Sequence, residues 1–247
     1  MKQELVRVAR KVGTSAGVIL PIKLLGATVK VSVLEEPVNP LVDSLRILEK
    51  HKLSSDVLSV VLVGSYARGE NEVGSDVDVL VVSGNSDVVI EEGKYSILVI
   101  SRDRLEREIG LDVVYCSMVY EGVPLMNGHL LDELKKVGVV DVVLKKFARD
   151  TRRALKKARK MIRIDEKLGN RKTGDSVAYS LVLRIRSLMI LEKIREGGKF
   201  RKRELVKIVG EDMYGKYKAV KGGKMGDGTS ILEARKMIEK IGGMMNE

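Results

Sequence analysis

Residues 64–82 read GSYARGENEVGSDVDVLVV, and this stretch limits the fold and chemistry of the 247-residue chain more tightly than any other. The residues before it, Leu58 to Val63, are few, apolar and largely β-branched, and predict a buried strand rather than a helix. Gly64 ends that strand and lets the backbone approach a ligand closely, while Ser65 offers a hydroxyl and an N–H at the start of a short helix near Tyr66. Phosphate oxygens suit such a turn. Farther on, Asp76 and Asp78 stand two residues apart in a β-rich segment, so strand alternation projects both to one face and Val77 and Val79 to the other. Neighbouring carboxylates repel when both are ionised, and a divalent cation between them relieves the repulsion. Oxygen donors alone suit Mg²⁺, with a substrate triphosphate completing its shell. The plainer alternative is a turn rich in Gly, Ser and Asp joining two strands, but the occurrence of both halves at this spacing weighs against it.

Taken together, Gly64-Ser65, Arg68-Gly69-Glu70 and Gly74-Ser75-Asp76-Val77-Asp78 resemble the signature of the DNA polymerase β-type nucleotidyltransferase superfamily, especially its minimal and antibiotic-modifying branches. The resemblance implies that Gly64 and Ser65 cradle the β- and γ-phosphates of a nucleoside triphosphate, with Arg68 and Ser75 at further nucleotide-binding positions. It implies Asp76 and Asp78 as the catalytic, metal-holding pair, for two Mg²⁺ ions if a third acid is supplied. In that family the metals activate an acceptor hydroxyl for in-line attack on the α-phosphate. Arg68 and Glu70 alternatively brace the loop by pairing with each other. The family usually carries its third acid on the next core strand, here Tyr95 to Ser101, which contains none. Ser96 falls at the position, leaving Glu92 or Asp103 to reach in from a flanking loop, or the site to bind nucleotide without turnover. A helix over Arg102 to Ile109 follows, and then Glu121-Gly122-Val123-Pro124-Leu125, which resembles the segment that closes the minimal domain.

Composition narrows the remaining classes. No apolar stretch approaches the length of a membrane span, and the start lacks the apolar core of a secretory signal, so a cytoplasmic protein with no membrane partner is expected. The lone cysteine, Cys116, excludes an internal disulfide and reads as a core residue in a Val113-to-Val119 strand. His51 and His129 lack metal-ligand spacing. Glutamine occurs once, tryptophan never, and charged residues make up 32% of the chain, a bias that resembles proteins from hot environments. The net charge of +11 is unevenly spread: 16 basic and 20 acidic residues up to Gly138, 29 and 14 after it. A basic half beside an acidic metal site suits a partner carrying many phosphates.

Three parts are expected, giving an α/β (α+β) fold in which a mixed nucleotidyltransferase-type sheet is flanked by a small β module and a helical domain. Residues 1–37 form the β module: Val12 to Pro21 is followed by an alternating strand with Val29, Val31 and Val33 on one side. This segment weakly resembles the swapped-hairpin AbrB-like module, which implies a homodimer through its strands and Arg7, Arg10 and Lys11 as DNA-phosphate contacts. Residues 38–138 form the nucleotidyltransferase-like domain, opening on a helix from Leu41 to Lys52. Residues 139–247 form a basic helical domain. Its first long helix sets Leu144, Leu155 and Ile162 against a basic exterior, its second spans Ser176 to Arg195, and a Gly- and Lys-rich loop from Gly215 to Gly228 precedes a last helix at Ile231. Arg184 falls on the apolar face of the second helix and needs a partner, either a carboxylate or the nucleotide cleft.

The function expected is Mg²⁺-dependent transfer of a nucleoside monophosphate from a nucleoside triphosphate to an acceptor hydroxyl on RNA or protein. The alternative is a catalytically inactive nucleotide-sensing or DNA-binding regulator that keeps the same fold.

Overall fold

The structure is a computed structural model and describes residues 4–34, 36–224 and 226–245, divided between Glu36 and Pro37 into two compact units. In the first unit β1 (Arg10–Val12) and β2 (Ser15–Gly17) pair antiparallel across a turn at Gly13, whose φ of +60° favours glycine. The strand expected at residues 29–33 is absent: Val29, Val31 and Val33 are 50%, 65% and 74% exposed and pair with no other described residue. Alternation marks a face, but a strand also needs a hydrogen-bonding neighbour, and the described unit offers none there.

The second unit opens with α1 (Pro40–Lys50), capped by the Asn39 side chain, which accepts the Val42 N–H at 3.2 Å. Chain order continues through β3 (Val57–Leu62), α2 (Gly64–Arg68), β4 (Val77–Ser83), β5 (Val88–Glu92), β6 (Tyr95–Ser101), α3 (Arg102–Ile109), α4 (Val113–Glu121), β7 (Val123–Met126) and α5 (Gly128–Lys135). These five strands form one mixed sheet in the order β5-β6-β4-β3-β7, in which only the central β4/β6 pair is parallel. The inner strands β3, β4 and β6 are largely apolar runs because both faces of the sheet are covered there. Val77, Val79, Val81 and Ile97 pack toward α1, while Leu80, Val82 and Ile100 pack with residues of α3, α4 and α5.

Helices make up most of the remainder: α6 (Val140–Lys167), α7 (Asp175–Arg195), α8 (Lys202–Val209), α9 (Glu211–Lys221) and α10 (Ile231–Met244), with β8 (Lys172–Thr173) paired to β9 (Thr229–Ser230). The second helix is apolar nearly all round because it is the centre of this half, with Leu181, Ile185, Leu188 and Leu191 buried. Among the described residues no carboxylate pairs with Arg184 on that helix, and its guanidinium lies 5.3 Å from the centroid of the Phe147 ring.

Two further expectations fail for one reason. Residues 113–119 were expected as a strand and form α4, with Asp112 capping its start and fully buried Cys116 facing the helical core while Val119 faces the sheet core. Gly215 was expected in a loop and lies inside α9, where Met213 and Tyr217 are buried. In both places burial of long side chains, on two sides of α4 and on one side of α9, outweighs the local preference of β-branched residues or glycine. Among the described residues no helix is long and apolar enough to cross a membrane.

Candidate active site

At the N-terminal end of the parallel pair, the turn after β3 meets the start of β4. Gly64 adopts φ +67°, and a β-carbon built there would stand 2.1 Å from Oδ2 of Asp78. Only glycine therefore lets this turn lie against that carboxylate. The Val63 N–H donates to the Asp78 carbonyl at 3.0 Å, which fixes the two segments side by side. Asp76, one residue before β4, is exposed, whereas Asp78 is half-buried. Neither carboxylate accepts a hydrogen bond or forms an ion pair among the described residues. Burial pushes the Asp78 carboxyl above its usual range, the nearby Lys221 ammonium opposes that shift, and the charge of Asp76 adds to it.

The other predicted residues divide into those left open and those engaged. The Ser65 hydroxyl has no hydrogen bond among the described residues, although its carbonyl accepts the Glu70 N–H at 2.9 Å. Ser75 closes a turn: its hydroxyl accepts the Glu72 N–H at 2.7 Å, leaving its own proton to donate elsewhere. Arg68 is nearly buried and faces inward, with Nε 3.2 Å from Glu70, a terminal nitrogen 3.8 Å from Glu121 and the Phe200 ring 5.5 Å from its guanidinium carbon. Glu121, 3% exposed, also accepts the Phe200 N–H and the Ser117 hydroxyl, each at 2.8 Å. Glu70 accepts the Lys202 N–H at 2.8 Å. The loop bearing the site is thus bolted to the segment entering α8.

The register of β4 on β6 sets Ser96 directly opposite Asp78. Neither acid proposed from sequence to supply the third ligand lies nearby. Glu92 pairs with Tyr95, points to the α1 face and is held by Lys50 at 2.9 Å and His51 at 3.4 Å. Asp103 belongs to the first turn of α3, beyond the opposite end of β6. The acid on the correct face is Glu91, which continues the rung from Asp78 through Ser96 and accepts the Ser96 hydroxyl at 2.8 Å. Two strand spacings separate it from Asp78 by about 9.5 Å, so it adds charge rather than sharing a coordination shell. Its place is recoverable from the sequence, because a two-residue turn at Gly93-Lys94 pairs Glu92 with Tyr95 and therefore Glu91 with Ser96.

Lysines from the helical half complete the surroundings, and sequence reasoning missed them. Lys218 lies 3.6 Å from Glu72, Lys202 is ion-paired to the same carboxylate, and Lys221 is the strongest cationic influence on Asp78. Glu72 and Lys202, with Glu70, Arg201 and Lys207, line a groove of about 690 Å³, and neither Asp76 nor Asp78 is among its lining residues. The oxygen donors present fit one hard cation whose shell a phosphate chain completes. Among the described residues no three His, Cys, Asp or Glu side chains gather as a metal cage.

A family model described as "Nucleotidyltransferase domain" matches residues 44–195, from α1 through the whole of α7. No curated protein matches the chain. A nucleotidyltransferase-like protein from Exiguobacterium sibiricum 255-15, of known structure, is similar at 14% identity over 81% of this chain and 72% of that chain, with a TM-score of 0.36, a likeness too slight to carry an argument.

Proposed function

The chain belongs to the nucleotidyltransferase domain family, and from that premise we propose that it transfers a nucleoside monophosphate from a nucleoside triphosphate to an acceptor hydroxyl on RNA or protein, in a Mg²⁺-dependent reaction at Asp76 and Asp78. The observation that carries this reading is the seating of Gly64 against Asp78, which leaves no room for a β-carbon between the turn and the carboxylate.

In the reaction the acceptor oxygen bonds to the α-phosphorus, the α–β bridging bond breaks and pyrophosphate leaves, while the acceptor proton passes to a carboxylate or to water. Mg²⁺ held by Asp76 and Asp78 would supply charge neutralisation on the phosphate oxygens. The N–H and hydroxyl of Ser65 hold the outer phosphates beside Gly64, and Ser75 turns its remaining proton toward them. Lys221 and Lys218 balance the negative charge of the phosphate chain. Arg68 acts as a positioning residue: tied to Glu70 and Glu121, it keeps the 64–72 loop in place. The basic surface after Gly138 favours a macromolecular acceptor over a small one.

Incubation with α-labelled ATP, CTP, GTP or UTP, Mg²⁺ and RNA or protein acceptors tests this directly. Label should transfer with the natural chain and fall by at least about a hundredfold with Asp76→Ala or Asp78→Ala. Transfer that survives both substitutions, or never occurs, overturns the enzyme reading. A second reading, a nucleotide-sensing or DNA-binding regulator without turnover, is favoured by one observation, the serine opposite Asp78 where the family's third acid is expected. It expects nucleotide or DNA binding and no labelled product under any condition.

A further inference from the structure

We propose that the solvent-facing side of α6 is a docking surface for the phosphodiester backbone of a nucleic acid. Between Lys145 and Arg163 this helix carries ten basic residues and one acid, Asp150, and all ten basic residues are exposed. At 100° per residue the ten fall within an arc of about 160°. Lys145, Arg149, Arg152, Lys156, Lys160 and Arg163 form a row along its middle, one charge per turn, running about 27 Å at 1.5 Å per residue. The opposite side is anchored: Val143, Thr151, Leu155, Ala158 and Ile162 are buried. The orientation of the basic row is therefore set by packing.

Ordinary surface charge does not account for this row. Elsewhere the helices pair their charges, as in Arg102 with Glu106 at 2.9 Å and Lys216 with Asp212 at 2.7 Å. On α6 within this span, Arg153 meets Asp150 at 3.7 Å and Lys146 donates to the Leu111 carbonyl at 2.6 Å, while the other eight cations have no partner among the described residues. Like charges three or four positions apart weaken a helix. A polyanion lying along the row removes that repulsion and releases its own counterions, which is the main source of sequence-independent nucleic-acid affinity. A lipid surface fits less well, because the apolar stripe that an interfacial helix would insert is already buried in the core.

This inference concerns binding and stands apart from turnover at Asp76 and Asp78. The test is fluorescence anisotropy with the full chain and labelled RNA and DNA oligonucleotides, single-stranded and duplex, from about 50 to about 200 mM salt. A variant carrying Arg149→Gln, Arg152→Gln, Lys156→Gln and Lys160→Gln changes exposed side chains only, and circular dichroism checks its fold. Expected are binding by the natural chain, and in the variant a loss of at least about tenfold with a log–log salt slope shallower by about 3. Asp78→Asn should bind as the natural chain does, so a failed transfer assay with intact binding separates the two readings. Equal affinity and slope for the variant, or binding to phosphatidylserine vesicles with none to nucleic acid, overturns the proposal.

Discussion

At position 64 the required conformation and the required space coincide, since φ is +67° and a β-carbon would stand 2.1 Å from Asp78 Oδ2. Gly64→Ala should cost about 1–2 kcal/mol through the left-handed backbone alone, read by urea unfolding, and should also abolish Mg²⁺-ATP binding by calorimetry because the carboxylate must move. Asp78 itself titrates in a defined direction. Burial raises its carboxyl pKa, so the folded chain holds the proton more tightly than the unfolded chain does. Its contribution to stability is complete below the unfolded value near pH 4 and is lost as pH rises through the raised folded value. In metal-free buffer, Asp78→Asn should therefore gain stability relative to the natural chain as pH goes from about 4.5 to about 7. Mg²⁺ and nucleotide should reverse the order, raising the melting temperature of the natural chain but not of the variant; at a hundred times Kd that gain is about 2.7 kcal/mol. The aspartate pair and Gly64 were legible in the sequence because alternation and turn chemistry are local. Arg68 was half-legible: its motif position marked it, but its inward pairing with Glu70 and Glu121 depends on Phe200 and Glu121, far along the chain.

Among the elements, α4 joins the two cores, contributing Val113 and Cys116 to the helical one and Val119 to the sheet one. Its last residue, Glu121, is the acceptor at which α4, the end of α2 and the entry to α8 converge. Removing it strands a buried N–H and leaves the nearly buried Arg68 guanidinium to Glu70 alone. Glu121→Ala should destabilise the fold by about 3–5 kcal/mol in urea titration, whereas Glu121→Gln, which keeps one acceptor oxygen, should cost less. The sequence marked this glutamate only as part of a weak closing motif. The strand read into residues 113–119 shows the limit of propensity: a short apolar β-branched run serves equally as a helix buried on two sides, and only the neighbours decide. At the start of the last helix Ser230, a residue type that favours N-caps, occupies the N-cap, yet its side chain makes no capping hydrogen bond.

Across the molecule, charge is segregated, with an acidic half carrying the aspartates and a basic half supplying Lys218 and Lys221. Lys221 is the main cation opposing the raised pKa of Asp78, so Lys221→Met should raise it further, seen by carboxyl-carbon NMR titration, and weaken nucleotide binding by about tenfold. An unchanged titration would show that the two groups do not interact. The sequence by itself determined the strand-turn-strand frame, the glycine turn at Gly64 and the basic exterior of the first long helix. Each follows from contacts a few residues apart or from a period of two or 3.6. Tertiary structure alone decided which ring receives Arg184, what shape residues 113–119 take and which lysine most strongly opposes the raised pKa of Asp78. Those outcomes depend on burial between segments distant in sequence, where the free energy of covering long side chains exceeds the roughly 1 kcal/mol per residue by which local preferences differ.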